Sequence, residues 1–420
     1  MINWTERKVL TVESDDYGVC AWTANIEIYN AITQLDVARN YLTQLKNWVG
    51  GTLETPDVLE RLFSFLEQYH GRDGRPANFV PCYGVANPDF ASIKADGYRE
   101  YSDIWLDEGV PGRWKRECAL DKAREGMTRG VWIPEFHTRL HHANPYKWLQ
   151  SVREGSPEAR TFFEFEVFQC EERRPEYEDM AKEEQMAWIA PAIDRFRAMF
   201  ARVPRAGVNS DATEITEEIW RARGLKVRMF KQNSIEQRHL APGDRLPMGQ
   251  YRADIDMTML NRNVFFEPLG SGDLDGQHCA REALRNIEAN WAKGEPAIMS
   301  SHRKNYGSMV GDETQNGYTQ AEYLYGELTL RHPDLHFLTT WEVAQMYRQG
   351  GSIEVFGDHA IARNWTGGEL RVSEELVAGV MPGAASVLTD GGVVDIDFVD
   401  GQMGVTMLPG DYRIELLREA

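Results

Sequence analysis

Near its amino terminus the chain runs Lys8-Val9-Leu10-Thr11-Val12-Glu13-Ser14-Asp15-Asp16-Tyr17-Gly18. The first half of this stretch is short, apolar and β-branched, the pattern of a buried strand. The second half is acidic and closes on a glycine. Acids and a glycine directly after a strand are what an α/β enzyme sets at the carboxyl end of its sheet. The same arrangement recurs downstream. Asn78 to Val85 reads as a second strand, and Gly130 to Phe136 as a third that delivers His137-Thr138-Arg139-Leu140-His141-His142. Arg205-Ala206-Gly207-Val208 is a short strand end, Lys226 to Phe230 a further strand, and Pro296 to Ser301 a strand that ends at His302-Arg303.

Helical periodicity lies between these strands. Val58, Leu59, Leu62, Phe63 and Leu66 recur at helical spacing, and residues 171–200 form an acidic-to-amphipathic helix. Thr213 to Arg223 is a helix stopped by Gly224, and further helices are expected over Cys279–Trp291, Ala321–Leu330 and Trp341–Gln349. Residues 96–130 are charged and glycine-punctuated, an excursion over a barrel mouth. Glu164-Phe165-Glu166-Val167-Phe168 alternates like a strand with one acidic face. Alternation of strand and helix predicts an α/β fold, a distorted (β/α) barrel over residues 1–350. After Gly350-Gly351 the texture changes to short alternating runs with Gly, Asn and Asp turns, which predicts a small all-β, sandwich-like module over residues 351–420.

Composition narrows the function. The 420 residues carry 46 Lys and Arg against 65 Asp and Glu, a formal net charge of −19, which repels phosphate backbones and anionic lipid surfaces. No nucleic-acid or membrane partner is therefore expected. No apolar run reaches the ~18 residues of a membrane span. The amino terminus enters its first strand without an apolar leader, which points to the cytoplasm, or to the periplasm if a leader has been removed. Cys20, Cys82, Cys118, Cys170 and Cys279 are odd in number, widely spaced and form no CxxC, so ordinary buried thiols are expected.

The strand ends carry the chemistry. His137 and His141 stand four apart, a spacing that lets two imidazoles converge on one metal. Asp15 and Asp16 are adjacent, so on an extended backbone they cannot both point the same way. One is free to ligate a metal while the other remains a base. His302 adds an imidazole and Arg205 a cation, with the strand ends near residues 13, 136, 205 and 301 all expected on one rim. Carboxylate, two imidazoles, a free carboxylate and a further imidazole suit metal-assisted hydrolysis. Trp22, Trp105, Trp114 and Trp132 lie near these motifs, and core packing is the expectation for them over sugar stacking.

With those residues in view, the chain resembles the polysaccharide deacetylase superfamily, carbohydrate esterase family 4 and its relatives. The matching stretches are Glu13-Ser14-Asp15-Asp16-Tyr17-Gly18, His137-Thr138-Arg139-Leu140-His141, Arg205-Ala206-Gly207 and Ser300-Ser301-His302, in family order across residues 8–345. The resemblance implies a deacetylase-type barrel, with Asp15 as base and Asp16, His137 and His141 as metal ligands. It also implies that Arg205 holds the base and that His302 acts as acid. Three departures stand out. Tyr17 separates the aspartates from Gly18, the third motif reads Arg-Ala-Gly-Val, and His142 replaces a proline, so that either His141 or His142 is in ligand register. No acid partner for His302 is evident, Asp254 and Asp256 being candidates by interval alone.

The expected activity is metal-dependent hydrolysis that removes an acyl group, typically acetyl, from an amino sugar or carbohydrate ester. A carbohydrate or small acylated substrate is thus the partner. The alternatives are a non-sugar C–N amidohydrolase and a catalytically lapsed carbohydrate-binding protein. One carboxylate and two imidazoles suit zinc, with cobalt, nickel or manganese able to take the same ligands. The module of about 70 residues is near the lower size limit for an independent β fold. It is therefore expected to dock on the barrel or to pack against another subunit in a homo-oligomer. A chain ending at Gln349 should be poorly soluble or change its assembly in sedimentation, and a soluble, monodisperse product of unchanged assembly would refute that role.

Overall fold

A computed structural model describes residues 2–20, 23–36, 50–116, 119–141, 144–168, 176–209, 212–231, 247–269, 277–310, 312–356, 359–373, 380–387, 395–399, 402–407 and 409–418. The first part of the chain supplies strands β1 (Val9–Tyr17), β2 (Val80–Gly84), β3 (Ala86–Pro88), β4 (Asp103–Trp105), β5 (Glu135–Thr138), β6 (Ala206–Val208) and β7 (Val227–Lys231). They are followed by β8 (Gln250–Arg252), β9 (Met257–Arg262), β10 (Val264–Phe265), β11 (Ala297–His302) and β12 (His336–Phe337). One sheet has the order β10-β11-β1-β2-β5-β6-β7-β9-β8, parallel except at β8. This sheet curls, so that β9 and β10, neighbours in the chain, stand near its two ends. Asn263 joins β9 to β10, its N–H donates to the Ile298 carbonyl at 3.0 Å, and its side-chain oxygen accepts the Ile298 N–H at 2.8 Å.

Strand alternation divides the core in two. Leu10, Val12, Phe136 and Met299 face outward, into a layer shared with helix residues such as Leu59, Leu62, Ile193 and Leu284. Val9, Cys82, Val208, Val227, Met229, Leu260 and Ile298, contributed by strands all round the sheet, face inward. Leu338, Trp341 and Val343 close that interior from the amino-terminal side, at the head of the helix Thr340–Gln349. Glu13, Asp15, Arg262 and Ser300 continue the inward phase toward the carboxyl rim. The barrel is therefore apolar below and charged above. Among the described residues no helix is long and apolar enough to cross a membrane.

Several elements differ from expectation. Glu164 to Phe168, which reads as a strand, instead holds the last residue of the helix Pro157–Glu164 and the turn that ends it, in which Glu166 takes φ 55° and the Val167 N–H donates back to the Phe162 carbonyl at 2.9 Å. The third strand begins at Glu135, not Gly130. The helix expected over 171–200 spans Lys182–Phe200, with residues 171–175 outside the described residues, and the last long helix starts at Glu313 rather than Ala321. The rim excursion contains β4 and a helix, Ala119–Thr128. β9 and β10 were not anticipated. Cys20, Cys82 and Cys279 are buried thiols; Cys118 and Cys170 lie outside the described residues.

Gly350, in the left-handed region at φ 78°, ends the Thr340–Gln349 helix. Strands β13 (Gly351–Phe356), β14 (His359–Asn364), β15 (Gly368–Ser373), β16 (Val380–Val387), β17 (Asp395–Val399), β18 (Gln402–Met407) and β19 (Gly410–Arg418) follow. They form two antiparallel sheets, β13-β14-β19-β16 and β15-β18-β17. Phe356 and Ile361 pack on Ile133, and Trp365 meets the edge of Trp4 at 6.3 Å. Buried ion pairs join this apolar contact. Arg363 bonds both Asp73 and Glu342, and Arg202 spans Glu135 at 3.2 Å and Glu354 at 3.0 Å. Replacing Arg363 with alanine should leave buried Asp73 without its bonded cation and Glu342 with Arg75 alone, and cost about 3–5 kcal/mol in urea unfolding.

Candidate metal centre

Two adjacent aspartates can serve one cavity only if the strand is broken between them, and β1 is. It pairs Ser14 with Pro81 but Tyr17 with Tyr83, three residues against two, so a bulge lies between them. Asp16 sits at φ 76°, a left-handed conformation that aspartate tolerates better than most residues. Gly18 follows at φ 74°, and a Cβ there would lie 2.4 Å from the Gly84 carbonyl oxygen. Its N–H donates to Glu54 Oε1 at 3.0 Å. Arg303 holds Glu54 at 3.0 Å and the Val19 carbonyl at 3.0 Å. The turn after β1 is thus clamped from beneath.

β5 ends beside this turn. His141 Nε2 lies 2.9 Å and His137 Nε2 3.7 Å from Asp16 Oδ1, and all three side chains are buried. One ligand atom from each falls within 4.8 Å of the others. Burial pushes the Asp16 carboxyl up, but the His141 and His137 rings outweigh it and hold it well below the ordinary value. His137 Nδ1–H donates to the Val208 carbonyl at the end of β6, which turns Nε2 toward Asp16. A carboxylate and two imidazoles, once deprotonated, fit a divalent ion of the zinc type with positions left open. His141, not His142, is the residue brought to Asp16; His142 lies outside the described residues.

Asp15 faces the interior beside this cluster. Arg262 grips it bidentately, Nη1 to Oδ2 and Nη2 to Oδ1, both at 2.7 Å. That arginine takes the place expected for Arg205, which requires correction. Arg205 precedes β6 instead of ending it, and in a parallel sheet an amino end lies on the opposite rim. There its N–H donates to Glu135 Oε2 at 2.6 Å, and its guanidinium lies 5.8 Å from the Trp341 ring.

β11 runs in register with β1, with His302 opposite Asp15. His302 Nε2 stands 3.8 Å from Asp15 Oδ2, and Nδ1 bonds Glu267, just beyond β10. Burial raises the Glu267 pKa, but His302 more than offsets it and the net direction is down. Asn305 donates to the other Glu267 oxygen at 2.8 Å. Asp254 and Asp256 are not this partner: Asp254 pairs with Arg252, and Asp256 with Lys226. Trp114 and Trp132 are fully buried core residues, Trp105 lies under Arg139 at 4.5 Å, and Trp22 is outside the described residues.

Sequence reasoning missed Arg262 and Glu267 because it missed their strands. The signal was present in Met257 to Phe266, an apolar run interrupted only by Asn261-Arg262-Asn263 and followed by an acid and a proline.

No family model matches the chain, and no curated protein does. Among solved structures, a Mycobacterium smegmatis protein provisionally called a polysaccharide deacetylase is 9% identical, over 82% of this chain and 91% of that one, with a TM-score of 0.39. A Thermotoga maritima alpha-fucosidase is 11% identical over 99% and 96%, with a TM-score of 0.36. A de-N-acetylase of Aggregatibacter actinomycetemcomitans is 13% identical over 55% and 89%, with a TM-score of 0.21. These distant likenesses carry no chemistry to this chain, whose own side chains must carry it.

Two outcomes follow for the metal. His137→Ala and His141→Ala should each abolish stoichiometric zinc in elemental analysis while leaving the circular dichroism spectrum unchanged. Burial lowers the His137 pKa, but Asp15 and Asp16 outweigh it and the net direction is up from 6.5. A bound ion must displace that proton, so zinc affinity measured by calorimetry should climb as pH rises through and above 6.5.

Proposed function

We propose that the protein is a metal-dependent hydrolase that removes an acyl group, acetyl in the simplest case, from an amino sugar or carbohydrate ester. One observation carries this reading: the Asp16–His137–His141 cluster is flanked by two oriented pairs, Asp15–Arg262 and His302–Glu267. When bound, a divalent ion would supply Lewis acidity toward an acyl carbonyl and toward water.

The chain's own residues account for the proton movements. Asp15, fixed by both Nη groups of Arg262, accepts a proton from the attacking water. His302 keeps its Nδ1–H on Glu267 and turns Nε2 toward Asp15, so Nε2 is the atom that hands a proton to the leaving amine or alcohol. Glu267 fixes the orientation and tautomer of that ring. The clamp of Glu54 and Arg303 on the Gly18 turn holds the Asp16 backbone in its left-handed conformation.

A lapsed, purely sugar-binding protein was motivated by the weak third and fourth motifs. Arg262 and Glu267 stand where those motifs' side chains are needed, which favours retained catalysis. A non-sugar C–N amidohydrolase uses the same groups, and a panel of acetylated amino sugars, sugar esters and simple amides separates the two by kcat/KM. Hydrolysis should vanish with chelator and return with zinc, cobalt, nickel or manganese. Asp15→Asn should retain the metal and lose about 10²–10⁴-fold in kcat. Should Asp15→Asn lose the metal while Asp16→Asn keeps it, the two roles are reversed.

A further inference from the structure

The barrel interior holds a carboxylate that this reaction does not use. Glu13 stands two residues before Asp15 on the same strand phase and is 1% exposed. Its Oε2 accepts Arg262 Nε–H at 2.6 Å, and its Oε1 accepts the hydroxyl of Thr340. A guanidinium is a planar fork of five N–H donors. Here the Nη edge is spent on Asp15 and the Nε edge on Glu13, so the plane is fixed from both sides. The other neighbours of Arg262 are distant by comparison, Ser300 Oγ at 3.4 Å and Cys82 Sγ at 3.5 Å. Without Glu13 the guanidinium could tilt about its contact with Asp15.

Thr340 is itself held. It opens the helix that plugs the barrel, and Thr339 caps that helix by accepting the Glu342 N–H at 3.1 Å. Thr339 Oγ1 also donates to Glu354 at 3.0 Å, and Glu342 is bonded by Arg363, both from the carboxyl-terminal strands. The hydroxyl therefore reaches Glu13 from a backbone anchored on both sides.

We propose that Glu13 and Thr340 are positioning residues for Asp15, acting through Arg262. The Thr340 hydroxyl orients Glu13, Glu13 sets the plane of the guanidinium, and the guanidinium presents the Asp15 carboxylate to the reacting atoms. This proposal rests on the reading of Asp15 as the base.

The test uses the full chain with zinc bound. Thr340→Val keeps the side-chain shape and removes one hydrogen bond, and should lower kcat about fivefold to tenfold at unchanged KM and zinc affinity. Thr340→Ser should recover most of that loss. Glu13→Gln should cost on the order of 10²-fold in kcat, again with zinc retained. A merely structural role would leave Ser no better than Val. Wild-type kcat in Thr340→Val overturns the proposal. A second readout is independent of turnover: the side-chain 15N–1H resonance of Arg262 Nε, bonded to a buried carboxylate, should exchange slowly, move in Thr340→Val and return in Thr340→Ser. If the wild type hydrolyses no acylated compound but the resonance behaves so, the functional reading falls and the positioning chain stands. If the resonance does not move in Thr340→Val, the positioning chain falls whatever turnover shows.

Discussion

Arg262 bridges the two inward carboxylates Glu13 and Asp15, and the charged half of the interior is arranged around it. It is fully buried, as are Glu13 and Asp15 on either side. Taking these charges out of water costs several kcal/mol each, and only close, well-aligned bonds repay it. Three N–H groups at 2.6–2.7 Å do so here. The arrangement is a poor way to add stability, since an apolar trio of the same volume would serve the fold as well. What it achieves is orientation: a carboxylate deep in a packed barrel is aimed at the rim and cannot rotate away.

A second constraint is local. Asp15 and Asp16 are neighbours, and a regular strand would send one inward and the other outward into the helical layer. The bulge and the left-handed Asp16 break that alternation, so one residue can face Arg262 while the next meets His137 and His141. Left-handed backbone at a non-glycine residue is unfavourable by itself. The surroundings impose it, through the Gly18 N–H on Glu54 and the Arg303 bridge to Val19. Gly18 must be glycine for the chain to pass Gly84 so closely.

Much of this was legible in the sequence because local patterns wrote it. Val9 to Val12 and Ala297 to Ser301 are β-branched or small apolar runs that end in side chains capable of chemistry, and β1 and β11 lie where those runs do. The Asp-Asp and His-x-x-x-His spacings located the cluster that the fold gathers. Arg205 misled because a motif order says nothing about which end of a strand a residue occupies; one residue before β6 is the far rim. Arg262 and Glu267 escaped because β9 and β10 form a nearly continuous run that changes partners at Asn263. No periodicity reveals that the run leaves β7 and joins β11, since closure of the barrel is a long-range event. The Arg363 and Arg202 pairs escaped for the same reason: each joins residues far apart in sequence, and a charge pattern along the chain does not disclose a partner brought in by tertiary packing.

Charge balance connects the two halves of the site. Glu13, Asp15, Asp16 and Glu267 bring four carboxylates to one small volume, and Arg262 is bonded to two of them. Lys304, buried just after β11, acts electrostatically on Glu267 and Asp16, and its pKa is lowered chiefly by burial. Four negative charges against these two cations leave a formal −2 before the histidines are counted. A buried cluster of that sign must take up protons or a cation. Burial raises the Glu13 pKa and, against burial, the aspartates raise that of His137, so those two groups are the ones inclined to hold a proton, while Asp16, despite its burial, is held ionised by the neighbouring histidines. A divalent ion held by Asp16, His137 and His141 would offset the remaining charge. Asp15 stays apart from the cluster because both of its oxygens accept Arg262 Nη–H groups at 2.7 Å, whereas Asp16 is turned to the two histidines.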